Sequence, residues 1–149
     1  MHVCLVTPPS PYLLDDRSLP WLGPLWVAAC LRERGHQVRI LDLAGDPGFL
    51  QTATADAFRL GADCYGITAT APDYHLALQI RDAIKLANPQ QRIILGGAHA
   101  TTDPAGGLRD GWDSVVAGDG FLAAERALTE DGIISASKRG EIVEDLDHL

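Results

Sequence analysis

The sequence predicts a doubly wound, mainly parallel α/β domain with helices on both faces, and three observations carry that expectation. Strand-like runs recur at 2–7, 37–43, 64–70, 93–95 and 114–117, as expected of five strands, the aliphatic 93–95 buried on both faces. The stretches between them carry apolar residues at helical spacing, so strand and helix alternate as in right-handed βαβ units. Gly or Pro clusters punctuate the changes, as at Gly45-Asp46-Pro47-Gly48, Gly61-Ala62-Asp63 and Asn88-Pro89.

Taken in order, the first run stops at Pro8-Pro9-Ser10-Pro11, because proline cannot donate to a central ladder. The loop that follows, to residue 19, is long for a strand-to-helix connection, which marks a functional or mobile segment. Residues 20–34 then place Leu22, Leu25, Trp26, Ala29, Cys30 and Leu31 at helical spacing, with Gly35 where a C-cap belongs. A second helix over 49–60 has Phe49, Ala53, Ala57, Phe58 and Leu60 as its apolar face. Pro72-Asp73 opens a third, with Leu76, Leu78, Ile80, Ala83, Ile84 and Leu86 inward. Asp103-Pro104 starts a short helix weakened by Gly106-Gly107, and a last one spans 121–129. The segment 133–137, the turn 138–140 and 141–143 read as a small hairpin at the sheet edge. Residues 144–149 resemble a linker cut short, so the chain divides into a domain over 1–130 and a hairpin and linker over 131–149.

Its 149 residues suit one domain able to bury a core unaided, and 46% hydrophobic with 21% charged residues is ordinary for a globular protein. A net charge of -8 argues against nucleic acid or an anionic membrane as partner, since phosphate binding needs a basic face. No apolar run is long enough to cross a bilayer and the start lacks a basic leader, so the chain reads as cytoplasmic. Cys4, Cys30 and Cys64 are widely spaced in apolar stretches and read as buried small hydrophobes, with no zinc or cluster spacing.

In an open α/β sheet, ligands lie at the carboxyl ends of the strands. The loops expected there are 7–11, 68–72, 96–101 and 118–120, small, hydroxylic and Gly-rich, which favours a large ligand lying against backbone. His99 is the one residue among them with obvious chemistry: it suits a metal, a proton transfer, or a hydrogen bond to backbone or ligand. No second ligand accompanies it at metal spacing, and no nucleophile elbow precedes it. Asp15-Asp16 suggests a phosphoacceptor site, but the third strand ends in Thr68-Ala69-Thr70 where the acceptor should stand. Neither a Gly-x-Gly-x-x-Gly nor a P-loop occurs, and three prolines in the first loop remove the N–H groups that would cradle phosphate, which also weighs against a flavin mononucleotide site.

Four motifs then combine in order and spacing: Leu5-Val6-Thr7-Pro8-Pro9, Gly66-Ile67-Thr68-Ala69-Thr70, Ile94-Leu95-Gly96-Gly97-Ala98-His99-Ala100-Thr101 and Val115-Val116-Ala117-Gly118-Asp119-Gly120. Together they resemble the N-terminal cobalamin-binding domain of radical S-adenosylmethionine (SAM) enzymes, over about residues 1–130. The resemblance implies a Rossmann-like or flavodoxin-like domain that binds cobalamin, a metal-bearing corrinoid, through Thr7, Pro8, Pro9, Thr68, Ala69, Thr70, Gly96, Gly97, His99, Thr101, Gly118, Asp119 and Gly120. Thr68 and Thr70 would line the pocket for the nucleotide tail, Gly96 and Gly97 would let its base pack on backbone, and 118–120 would border it. The resemblance also implies a radical SAM barrel of the same parent chain as partner, a transferase or rearrangement activity in that parent, and SAM with a 4Fe-4S cluster in the barrel alone. This chain by itself would hold no catalytic residue.

One departure bears on cobalt. Cobalamin mutases and methionine synthase carry Asp-x-His-x-x-Gly after the first strand, and here that place reads Pro8-Pro9-Ser10-Pro11-Tyr12-Leu13. Cobalamin would therefore bind base-off without a protein His, its lower face open or capped by Tyr12 or Leu13. The alternative is a degenerate Rossmann-like module that no longer binds cobalamin and docks on a partner through an exposed face bearing Arg81 or Lys85.

Overall fold

The computed structural model describes residues 1–18 and 20–135. Twelve elements alternate: β1 (His2–Thr7), α1 (Leu22–Glu33), β2 (Gln37–Asp42), α2 (Phe49–Arg59), β3 (Cys64–Thr68), α3 (Tyr74–Ala87), β4 (Arg92–Gly96), α4 (Ala98–Thr102), α5 (Pro104–Arg109), β5 (Ser114–Ala117), α6 (Gly120–Ala127) and β6 (Gly132–Ser135). They form one sheet ordered β2-β1-β3-β4-β5-β6, with every neighbouring pair parallel. This is the doubly wound fold that the alternation predicts, with one strand more. Gly132–Ser135, overlapping the expected first arm of the hairpin at 133–137, pairs parallel with β5, from Ser114↔Gly132 to Ala117↔Ser135. The hairpin's turn, its second arm and the linker lie outside the described residues.

Pleat alternation sorts the core into two layers. Cys4, Val6, Tyr65, Ile67, Ile93, Leu95 and Val115 face α2, α3, α4 and α5, while Val3, Leu5, Cys64, Ile94 and Val116 face α1 and α6. Three helices present less apolar surface to these layers than spacing alone implies. On α1 the buried residues are Pro24, Ala28, Cys30 and Leu31, and Leu22, Leu25 and Trp26 are exposed, because the helix packs on β1 and β2 through its small residues. Phe58, Leu60 and Leu86, at the carboxyl ends of α2 and α3, also lie in solvent beyond the edge of the sheet.

A half-buried ion pair fastens β2 to α2. Arg39 donates from both terminal nitrogens to Asp56, at 2.6 and 2.7 Å, and to the Gly61 carbonyl. The Tyr65 hydroxyl donates to Asp56 Oδ2 at 2.9 Å, so the carboxylate is saturated. α5 begins where Asp103-Pro104 predicts, the Asp103 side chain accepting from the Gly106 N–H. Its glycines are a packing requirement: a Cβ on Gly107 would stand 2.9 Å from Val115 and 3.0 Å from Leu95.

The turn out of β4 is tighter still. Gly97 has φ 89°, and a Cβ there would meet Thr68 Oγ1 at 2.5 Å and the Ala69 carbonyl at 2.8 Å. At Gly96, one residue earlier, a Cβ meets nothing within 4 Å. We expect Gly97→Ala to cost about 1–3 kcal/mol of unfolding free energy, from the left-handed backbone and the clash, and Gly96→Ala to change it by no more than about 1 kcal/mol. Urea denaturation of the two variants checks this, and equal midpoints would contradict the contrast between the two positions.

Burial pushes the Cys4 and Cys64 thiols up to about 12, against the opposing pull of Arg39 and Arg92. The unfolded chain ionises these thiols first, so their contribution to stability is full below about pH 9 and declines as pH rises toward the folded values. Unfolding free energy should therefore fall between about pH 8 and about pH 10.5, by at most about 1.4 kcal/mol per pH unit for each thiol. A flat profile over that range would show the thiols to be solvated.

Candidate functional site

The order of the sheet reverses between β1 and β3, so the chain leaves them toward opposite faces and a crevice opens at their carboxyl ends. On the α1/α6 face, β3 contributes Cys64, Gly66 and Thr68, and β4 contributes Ile94 and Gly96. The register sets Leu5 beside Gly66, Gly66 beside Ile94, and Thr68 beside Gly96. Side chains thus shrink toward the carboxyl end, and α1 and α6 bridge a gap they do not fill. Gly120 lets the two helices meet, since a Cβ on it would lie 2.9 Å from Val27.

The result is a cavity of about 270 Å³ floored by the sheet and walled by Val27 and Leu31 of α1 and Phe121, Ala124 and Leu128 of α6. Its mouth is formed by the exposed Gly97, Gly118 and Asp119. Thr68 and Asp119 carry the two polar side chains among the residues lining it. The Trp26 ring leans on Phe121 beside the mouth, with centroids 5.8 Å apart.

Six of the residues singled out from sequence come together here: Thr68, Gly96, Gly97, Gly118, Asp119 and Gly120. Thr101 stands behind them, its hydroxyl donating to the Gly97 carbonyl at 3.1 Å and accepting the Gly118 N–H at 3.0 Å. Ala69 is buried and contributes backbone, donating to the Gly96 carbonyl and accepting from the His99 N–H. The others are placed elsewhere. Thr7 donates its hydroxyl to Asp42 at 2.6 Å, and Thr70 donates to Asp73 at 2.7 Å. Pro8 and Pro9 are buried at the root of their loop. His99 lies on α4 with its ring stacked on Tyr74, centroids 3.8 Å apart, outside the lining of the cavity. That stack is part of a packed group in which Tyr74 donates to Asp110 at 2.6 Å and accepts from Trp112 Nε1 at 3.1 Å. Burial and the Asp110 carboxylate raise the Tyr74 phenol to about 12.

Sequence reasoning missed the walls. Val27 with Leu31, and Ala124 with Leu128, are i,i+4 pairs that read as ordinary core. Gly66 in mid-strand was the signal available, because a glycine inside a buried strand marks a close approach; here Leu5 Cδ2 would sit 2.9 Å from its Cβ. In the first loop, Tyr12 and Leu13 are exposed, and Tyr12 meets His75 edge-on at 6.4 Å. Arg81, expected on an open helix face, instead packs over Trp112 and bonds Asp82 and the Asp110 carbonyl, and Lys85 pairs with Asp113.

Comparison with known proteins bears on what this cavity receives. The structure is similar to that of the radical S-adenosylmethionine methyltransferase TsrM from Kitasatospora setae, solved with its tryptophan substrate and the SAM analogue aza-SAM. The TM-score is 0.53 at 20% sequence identity, over 69% of this chain and 20% of that one, so this chain spans about a fifth of that protein's length and the likeness is one of fold. No curated protein matches the chain. Residues 17–128, which include both helices and all but the first strand of the cavity, match the family model for the B12 binding domain. The chain belongs to the B12-binding domain family.

Proposed function

We propose that this chain is the cobalamin-binding domain of a radical SAM enzyme, of the methyltransferase or rearrangement type, and that it presents the corrinoid to a catalytic barrel elsewhere in the parent protein. The observation that carries the reading is the cavity at the topological switch point: preformed, apolar, and opening at the carboxyl edge of the sheet. A cavity of about 270 Å³ takes a flat base and its sugar but excludes a macrocycle. The nucleotide tail would therefore enter between α1 and α6, and the corrin would rest over the strand ends.

The residues present fit that group. Gly96 leaves open space where any other residue would project a side chain, and Thr68 offers a hydroxyl beside it. Gly97, Gly118, Asp119 and Gly120 border the entrance, while Thr101 and Ala69 hold the turns in place. Thr7, Pro8, Pro9 and Thr70 fix the neighbouring loop, and His99 stays stacked on Tyr74 of α3. The loop after β1, Pro8-Pro9-Ser10-Pro11-Tyr12-Leu13, supplies no imidazole, which supports a base-off mode without a protein His on cobalt. Bound cobalamin would supply a cobalt centre able to carry a methyl group. SAM and a 4Fe-4S cluster belong, in this reading, to the barrel.

The test is gel filtration of the purified chain after incubation with hydroxocobalamin, with absorbance read across the protein peak. Corrinoid should co-elute with a base-off spectrum. Gly96→Val adds an isopropyl group into the open space and should weaken retention at least tenfold while leaving the circular dichroism unchanged. A folded wild-type chain that loses all colour would favour the degenerate interaction module, and a Gly96→Val variant that binds as well as wild type would remove the tail from this cavity.

A further inference from the structure

We infer that the cavity selects among corrinoids by the chemistry of the lower base, taking a benzimidazole-type base and discriminating against a purine. The inference rests on the proposed entry of the nucleotide tail and adds which tail is accepted.

The interior of the cavity has nothing to offer a polar base. Its floor is Leu5, Gly66, Ile94 and Val116, and Val27, Leu31, Ala124 and Leu128 close it from the helices. The floor's backbone N–H and C=O groups belong to strands paired on both sides in the parallel ladder, and beyond the first turns the wall's are bonded within helices; the unpaired first-turn N–H groups of Gly23, Gly120 and Phe121 stand where α1 and α6 begin, at the carboxyl edge. The two polar side chains of the lining, Thr68 and Asp119, both stand at the carboxyl end. Thr68 closes β3 and Asp119 is exposed ahead of α6. A ligand tethered to a macrocycle over the strand ends must pass them with its sugar and place its base beyond them.

The two classes of base differ in what they bring into such a space. A dimethylbenzimidazole carries methyl groups and ring C–H edges, with one free ring nitrogen and no donor. An adenine carries an exocyclic amine and several ring nitrogens, each solvated in water. Burying a polar group without a partner forfeits that hydration, whereas burying methyl groups gains from the apolar walls. Asp119 could accept from an amine only at the mouth, where it competes with water.

The experiment measures equilibrium binding of three probes to the chain by competition: hydroxocobalamin, its adenine-base analogue, and cobinamide, which lacks the nucleotide. We expect hydroxocobalamin to bind tightest and the adenine-base form to bind at least tenfold more weakly, near cobinamide. An adenine-base form equal to or tighter than hydroxocobalamin overturns the inference while leaving the corrinoid site standing. Equal binding of all three also overturns it, by showing that the tail does not enter. If none binds to a folded chain, the proposed function fails and the inference fails with it.

Discussion

The approach of the β4 exit turn to the end of β3 is the contact on which the geometry of the cavity depends. It is available because residue 97 is glycine: any side chain there would drive into the Thr68 hydroxyl and the Ala69 backbone. With that space free, β3 and β4 continue to pair past their last strand residues, through Ala69 N–H to the Gly96 carbonyl and His99 N–H to the Ala69 carbonyl. Thr101 then bonds both Gly97 and Gly118, so the turns after β4 and β5 are fastened to each other as well. A rim built from backbone hydrogen bonds needs no rearrangement to admit a ligand. Two adjacent glycines therefore divide the labour, Gly97 closing the rim and Gly96 leaving the space inside it.

The loop after β1 is fastened by different means, since prolines at 8, 9 and 11 deprive it of its own donors. Asp73 is buried, and its carboxylate accepts the hydroxyls of Ser10, at 3.1 and 3.3 Å, and Thr70. Asp is a favoured helix N-cap, yet this one makes no side-chain capping bond to α3 and reaches across to the first loop instead. Asp16 accepts the N–H groups of Ser10 and Gly45, and Arg17 donates to the carbonyls of Ala44 and Gly45. The root of the loop is thus tied both to the β3 exit and to the β2 exit, while Tyr12, Leu13 and Leu14 at its tip remain in solvent.

How far the sequence can be read follows from these contacts. Strands are legible because a parallel sheet buried on both faces demands unbroken aliphatic runs, and each of the five expected runs forms a strand. The sixth escapes because Gly132–Ser135 is short and followed by a turn-like Lys-Arg-Gly, so local pattern points to a hairpin although its partner lies across the sheet in β5. Small residues at strand ends flag the cavity's mouth, because smallness is visible in a sequence. Its depth is not, since Val27, Leu31 and Leu128 are chemically indistinguishable from core. Polar residues are the least legible: Thr7, Thr70 and His99 lie at or just past the expected strand ends, but partners such as Asp42 and Tyr74, distant in sequence, decide where the side chains of Thr7 and His99 go.

The same contacts bear on why this fold suits a corrinoid better than a bare metal. Among the described residues no three His, Cys, Asp or Glu side chains converge as ligands, and at this edge Asp16, Asp42 and Asp73 already accept hydroxyls or backbone N–H groups. A metal held at this edge must bring its own ligands, which a corrin does. Under the proposed reading the protein's part would be mechanical, a preformed slot for an anchor and a fixed rim beneath a large ring. Such a slot would hold one end of the cofactor and leave the opposite face of the ring uncovered. Chemistry at that face would require a second surface to exclude water.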